Sequence, residues 1–511
     1  MTAPPRAPQP RIAILPDFAG FFSVALFVAL AFAGGAKKLC GPDTFWHIKA
    51  GEIMLDRQTI LTRDIFSHTA AGNPWTAHEW LSEIIMAWWH QLGGIAAVVL
   101  FFSFLSAATF WLLYTICRRT TPDWLATPIV LVAFCLAYTH LLARPHIFSW
   151  FLGLVTIAIL QKGTQSRLLY LLPPITLVWA NLHGGFMLSL LFQIFFITGP
   201  LLDHLCLRPI PSWQLLWTRL NRPILILVAS TAAACINPFG CHLLLFPFYV
   251  TSPVFTRNIN EWLPADLLEQ WYLRSYLLLV LLFLFFQAHR LNWTQRLFIL
   301  YFINAALAHC RHFSLAGLFL SPIWSEALAP WGAAIDLRNR KGSTPDKEMS
   351  LSPYSGLALT LVLFLLLLSL VSNPRFRQQQ LLAPLGADTS PDTPSPFLAF
   401  LKDHPQQGKM FNNYGWGGIL IYTFGPEQKV FIDGRADMYG EKIFTDYQKI
   451  IGITDETEPL LDKYGVDWVL FGSTEPLTRY LKRSGAWLEI YRDKTASILV
   501  RHQAGNDMDE Q

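Results

Sequence analysis

The sequence predicts a polytopic α-helical membrane bundle of about eleven spans, followed by a small α/β domain. Three observations carry that expectation. Charged residues are 14% of the chain and hydrophobic ones 53%, with mean hydropathy +0.35, whereas soluble domains carry about 25% charge. Long apolar runs recur from Phe18 to Val371, separated by polar breaks. After Val371 the pattern changes to short segments that alternate in strand and helix character. The net charge of +4 is small and no basic run is present, which argues against nucleic acid as a partner. The seven cysteines show no C-x-x-C spacing and read as packing residues, neither a disulfide framework nor a zinc site.

The chain begins with a Pro-rich tail, residues 1–17, carrying Arg6 and Arg11. Phe18–Ala36 is about long enough to span a bilayer. Ala31-Phe32-Ala33 has the small residues of a cleavage site, but the run is longer than a signal core, so an uncleaved anchor is expected. Further runs are Ile95–Cys117, Trp124–Leu142, Ile147–Leu160, Leu168–Ala180, Phe186–Leu202, Ile224–Ile236, Tyr272–Ala288, Leu297–Ala308, Phe313–Ala329 and Tyr354–Val371. Arg118-Arg119, Lys162 with Arg167, the Arg208–Arg222 loop, Arg290 with Arg296, and Arg338–Lys347 fall in alternate loops. The positive-inside rule puts these loops and the N-terminus on the cytoplasmic side. An odd number of spans then leaves everything after Val371 outside. Lys37 and Lys38 alone run against the rule.

The other set of loops holds the polar clusters. The longest is residues 37–83, which gathers Asp43, His47, Glu52, Asp64, His68, His78 and Glu79 with Phe45, Trp46, Trp75 and Trp80. Its two ends, Asp43–His47 and His78–Trp80, read as helix edges. A loop this long and aromatic is either functional or an interfacial amphipathic segment with its tryptophans among headgroups. Arg144-Pro145-His146, Asn181-Leu182-His183-Gly184-Gly185, Asn237-Pro238-Phe239-Gly240, Glu261-Trp262 and Arg311-His312 lie on the same side. Several apolar runs leading into these clusters are shorter than the roughly 20 residues needed to cross. The clusters therefore continue their helices into the outer half of the membrane. Ionisable groups there have to line a cavity or pair, since exposure to lipid costs several kcal/mol. One outward-facing polar cavity follows.

The domain plan is a membrane module over 18–372, a linker over 373–395 and an α/β domain over 396–511. In the last, Lys409–Asn413, Val430–Asp433 and Val466–Phe471 read as buried strands, and Trp487–Tyr491 with Ser497–Arg501 as a hairpin around Asp493. Phe397–Asp403, Glu441–Gly452, Glu458–Tyr464 and Glu475–Ser484 read as helices. Neither a Walker loop nor a G-x-G-x-x-G fingerprint is present.

These motifs resemble those of the GT-C superfamily of integral-membrane glycosyltransferases, and in particular a bacterial branch with RgtA/B/C/D-like domains. The likeness rests on the D-x-x-W-H start at Asp43, the segment from Gly72 to Leu81, R-P-H, N-x-H-G-G and N-P-F-G. The tail motifs Phe411–Gly418 and Phe431–Asp437 belong to the same pattern. Better-known members usually show Asp-Glu where this chain has Asp43-Thr44. The resemblance implies transfer of a sugar from a polyprenyl-phosphate donor to a glycan, lipid or protein acceptor at the outer face.

The residues suit that chemistry. Asp43 is the candidate general base for an acceptor hydroxyl, with Glu79 as the second catalytic candidate. Arg144 and Arg311 offer guanidinium forks to a departing lipid phosphate. His47, His78, His146, His183 and His312 are candidate donors to phosphate or sugar oxygens, joined by Asn181, and Trp46 and Trp80 are candidate stacking faces. Asp433, Gly434, Arg435 and Asp437 follow the expected buried strand at its C-terminal end, where ligands gather in open sheets.

Plainer roles stand beside these. Asp43 can cap its helix, Arg144 and Arg311 can pair with Asp43, Glu79 or Glu261, and Arg435 can lock the C-terminal domain onto the membrane part. No cofactor is required, and a divalent metal on Asp43, His47 and Glu79 would match no strong spacing motif. A transporter or flippase of lipid-linked saccharide would also want a polar cavity, but the one-sided motifs and lack of repeated halves argue against alternating access. A non-catalytic membrane scaffold would not need so many ionisable groups on one side.

Overall fold

The computed structural model describes residues 17–32, 41–206, 212–250, 252–340, 353–372 and 396–502. Nearly all of the expected cytoplasmic tail, Lys37 and Lys38, and the 373–395 linker lie outside these residues.

Each of the eleven apolar runs is mainly helical over its described residues. In chain order the helices of this part are α1 (Phe18–Phe32), α2 (Pro42–Arg57), α3 (Trp80–Cys117), α4 (Asp123–Ala137), α5 (His146–Leu160) and α6 (Leu172–Leu182). They continue with α7 (Met187–Cys206), α8 (Trp213–Ala234), α9 (His242–Val250), α10 (Trp271–Gln287), α11 (Trp293–Ala308), α12 (Phe313–Arg340) and α13 (Pro353–Val371). Among the described residues five segments are long and apolar enough to cross a membrane: Trp80–Cys117, Asp123–His140, Gly184–Cys206, Trp271–Arg290 and Tyr354–Val371. The chain is a membrane protein. Its longest helix, α3, is broken at Gly93 and Gly94, where Gly94 has φ 65° and ψ −161°, a conformation that only glycine adopts cheaply.

Between α1 and α3 the 37–83 loop is ordered over its described part, and α2 is its organising piece. Pro42 occupies the first turn, where its missing N–H costs nothing. Thr44 Oγ1 accepts from the Gly41 amide at 3.1 Å and donates to the Ala143 carbonyl at 3.1 Å. That second bond ties the start of α2 to the segment just before Arg144. The loop ends where α3 begins, at Trp80, so both expected helix edges are present.

The C-terminal part contains a four-stranded sheet in the order β1-β2-β4-β3, from β1 (Lys409–Asn412), β2 (Val466–Gly472), β3 (Trp487–Arg492) and β4 (Ala496–Arg501). The β1–β2 pair is parallel and the others antiparallel. Around it lie α14 (Pro396–Asp403), α15 (Gly417–Phe424), α16 (Ala436–Ile451), α17 (Thr457–Tyr464) and α18 (Pro476–Ser484). One expected strand is corrected: Val430–Asp433 does not join the sheet. The Asn412 side chain takes the place of a ladder partner, accepting from Phe431 N at 2.8 Å and donating to Ile432 O at 2.8 Å. Val430 instead pairs with the membrane part, through Val430 N to Phe66 O and His68 N to Val430 O, both 3.0 Å. Helix α15, opening on Gly417-Gly418, also went unexpected; it packs on α2.

Two close approaches fix that docking. A Cβ on Gly418 would stand 2.0 Å from the Pro42 carbonyl oxygen, and one on Gly434 2.0 Å from Asp43 Oδ1. The C-terminal domain is thus seated directly against the start of α2.

Candidate active site

At the N-terminus of α2, Asp43 Oδ2 lies 3.1 Å from Arg144 Nη1, and the same Nη1 is 2.9 Å from Glu261 Oε1. Asp43 does not cap the helix: Gly41 is the cap residue and makes no side-chain cap bond. The Asp43 carboxylate rests on the Gly434 backbone, stays about a quarter exposed at 24%, and therefore remains reachable from solvent. Burial raises its pKa above the usual carboxylate value, against the opposing pull of Arg144. Glu261, at 38% the most exposed of the three, behaves oppositely: burial pushes it up, but Arg144 and Arg311 outweigh that and hold it at about 2.

Glu79, one residue before α3, is ringed by imidazoles. Its Oε1 lies 3.3 Å from His183 Nε2 and 3.8 Å from His78 Nε2, and its Oε2 3.6 Å from His47 Nε2. The His183 tautomer follows from its bonds. Nδ1 accepts from the Gly185 amide at 2.9 Å, so the ring proton sits on Nε2 and faces Glu79. Ser149, which accepts from Trp179 Nε1 at 2.6 Å, stands 2.7 Å from the same Nδ1. His47 Nδ1 lies 3.2 Å from the buried Glu83, and burial holds His47 neutral. Burial likewise lifts Glu79 to about 7. The indole of Trp46 stacks on His47 at 3.6 Å between centroids.

Arg311 makes no ion pair among the described residues; its guanidinium lies 3.6 Å over the Trp262 ring. Trp262 and Glu261 are held there because His309 Nδ1 bonds Trp262 O at 2.6 Å and Cys310 N bonds Leu263 O at 2.9 Å. Asp43, Glu79, Arg144, Glu261, His78, His183 and Arg311, drawn from six chain segments, therefore gather in one region, in ion-pair or coulombic reach of one another.

Other expected site residues are engaged by the fold. Asn181 accepts from Trp80 Nε1 at 3.0 Å and donates to Leu177 O at 2.8 Å and Ile236 O at 3.0 Å, pinning α3, α6 and the end of α8 together. His146 Nε2 bonds His140 O at 2.7 Å, and His312 Nδ1 bonds Ala305 O at 3.2 Å. Asp433 and Arg435 are buried and lie at no sheet edge, because the strand expected before them does not form. Arg435 grips Asp433 with Nε at 2.8 Å and Nη2 at 2.7 Å and reaches Asp64 of the α2–α3 loop with Nη1 at 3.0 Å. It is the lock between domain and loop. Asp43, His47 and Glu79 do not converge as a metal site, since Asp43 is turned to Arg144, and among the described residues no group of three metal-ligating side chains does.

Sequence reasoning left Glu261 and Ser149 out of the site. Glu261 carried a signal, as an isolated acid beside a tryptophan on the polar face. Asp437, at the start of α16, is raised by burial to about 6.

No family model matches the chain, and no curated protein does. Among solved structures it is similar to the oligosaccharyltransferase AglB from Archaeoglobus fulgidus in complex with an inhibitory peptide and a dolichol-phosphate. The identity is 10% over 96% of this chain and 74% of that one, with TM-score 0.54. The Archaeoglobus fulgidus oligosaccharyltransferase tethered with an acceptor peptide matches at 11% identity over 95% and 74% of the two chains, with TM-score 0.50. ArnT from Cupriavidus metallidurans, bound to undecaprenyl phosphate, is 11% identical over 96% and 99%, with TM-score 0.46. The chain has the fold of the GT-C membrane glycosyltransferases that its motifs resemble, a helical bundle with a C-terminal α/β domain.

Proposed function

We propose that this protein transfers a sugar from a polyprenyl-phosphate donor to a nucleophilic acceptor at the outer face of the bacterial inner membrane. Residues 18–372 hold the bundle, with the N-terminus inside, and residues 396–511 lie outside beyond the 373–395 linker. The observation that carries this reading is the convergence, at one end of the bundle, of a reachable carboxylate and a guanidinium that has no ion-pair partner among the described residues. The fold it shares with an oligosaccharyltransferase solved with a dolichol-phosphate supports the donor class.

In this reading the acceptor hydroxyl attacks the anomeric carbon and gives its proton to Asp43, and the C–O bond to the lipid phosphate breaks with inversion. Arg311 meets the phosphate. Arg144, held by Asp43 and Glu261, orients the base and steadies its charge more than it grips donor. Glu79 holds the His78 and His183 imidazoles in place beside the reacting groups.

Asp43→Asn tests the assignment. Positioned proton transfer contributes about 10² to 10⁴ in rate, so turnover should fall by that factor with the fold kept. Arg311→Met should instead weaken donor binding, raising KM more than it lowers kcat. The assay is transfer of label from a polyprenyl-phosphate sugar in membranes of matched abundance. Parent-rate transfer by Asp43→Asn would move the base to Glu79, and no transfer by the parent from any such donor would end the enzyme reading.

A further inference from the structure

The turn between α8 and α9 carries two cysteines six residues apart, Cys235 and Cys241, in the segment Cys-Ile-Asn-Pro-Phe-Gly-Cys. Their sulfurs are 3.0 Å apart. Two unbonded sulfurs ordinarily keep a wider separation, while a disulfide bond is about 2.0 Å long, so about 1 Å of approach remains. The turn already sets this distance. Asn237 closes it, with Nδ2 donating to Ala234 O at 2.7 Å and Gly240 O at 3.1 Å, and Oδ1 accepting from Phe239 N at 2.7 Å. Gly240, at φ +59°, reverses the chain so that Cys241 returns over the end of α8. Cys241 is exposed and Cys235 partly so, which lets an oxidant reach the pair.

We propose that Cys235 and Cys241 form a disulfide that staples this turn. The chemistry is exchange with a small-molecule or protein disulfide, such as an oxidising extracytoplasmic compartment supplies. The Cys241 thiolate attacks the oxidant, forming a mixed disulfide and releasing one thiol. The Cys235 thiolate then displaces the second. Two S–H bonds are lost and one S–S bond is gained, and the oxidant's disulfide takes up two electrons and two protons as two thiols.

The position gives the staple a role. Ile236 O accepts the Asn181 bond that holds Trp80 beside Glu79, and Phe246 on α9 packs 4.6 Å from the His78 ring. Both ends of the turn thus bear on the imidazole side of the site. The inference is independent of the glycosyl-transfer reading.

The test uses the full chain, purified without reductant, denatured and labelled with a maleimide before and after reduction. Cys235 and Cys241 should stay unlabelled before reduction and label fully after it, and their joint peptide should be about 2 Da lighter in the unreduced sample. Amide hydrogen exchange over residues 236–244 should quicken on reduction in the parent and not in Cys235→Ser/Cys241→Ser. Full labelling of both thiols after treatment with oxidised glutathione would overturn the proposal. So would a stable glutathione adduct on Cys241 alone, since that thiol would then be reactive without pairing. Exchange over 236–244 that ignores reduction would overturn the stapling role.

Discussion

Removing the Arg435 guanidinium should undock the C-terminal domain from the α2–α3 loop. Arg435 has two carboxylates within 3.0 Å, Asp433 in its own turn and Asp64 in the loop, and its side chain is 1% exposed. Three aromatic rings surround it: Trp75 at 4.7 Å, Phe66 at 5.1 Å and Trp46 at 5.9 Å. Water cannot reach the carboxylates to replace the lost charge. Asp64 retains its bonds from Ser67 N, Ser67 Oγ and Phe66 N, and Asp433 its bond from Tyr439, so neither anion is left bare. Breaking a buried pair by deleting one partner costs about 3–5 kcal/mol. At about 1.4 kcal/mol per tenfold, Arg435→Met should lower the docked-to-undocked ratio roughly 10² to 4 × 10³-fold. The readout is amide exchange at Val430 and His68, whose N–H groups pair across the junction and should open faster by that factor. Asp64→Asn/Asp433→Asn in the same background should recover part of the loss, because neutral partners no longer need the cation. Unchanged exchange at both amides in Arg435→Met would refute the lock.

Three further outcomes are expected. Gly434→Ala places a methyl where Asp43 Oδ1 now lies, so it should cut turnover at least tenfold with little change in donor KM, measured by transfer at saturating donor; parent activity would show that Asp43 need not rest on that backbone. The dependence of kcat/KM on pH should have an acid limb above the ordinary carboxylate range, because burial raises Asp43 and only the ionised form accepts a proton. Arg144 favours that ionised form, so Arg144→Met should move the limb to higher pH, and a limb that stays put or falls would assign it to another group. Single cysteines at Gln165 and Glu269 should label from opposite sides of the membrane, and labelling from one side would remove the assumed orientation.

Much of this architecture could be read from local pattern. Apolar runs become helices because a chain in lipid must satisfy its own backbone, and the Pro42 and Trp80 boundaries are set by residues next to them. The hairpin around Asp493 is legible for the same reason: its carboxylate accepts from Thr495 N and Ala496 N within the turn. Partner choice is different. Arg144 and Arg311 have the same chemistry in sequence, yet one is bridged by two carboxylates and the other lies on an indole. Val430–Asp433 has the composition of a strand, and only the distant Asn412 side chain and the Phe66–Ser67 backbone decide that it leaves the sheet. Asp433-Gly434-Arg435 reads as a ligand turn in sequence, and only the fold brings the loop's Asp64 to Arg435.

The seat of Asp43 on Gly434 also orders the assembly of the site. The α2 carboxylate emerges from the ribosome long before the backbone it rests on. In the proposed mechanism, a chain stalled or clipped before residue 434 therefore gathers its guanidinium and imidazole groups around a base that has no seat. Transfer activity would then report that synthesis had passed that point.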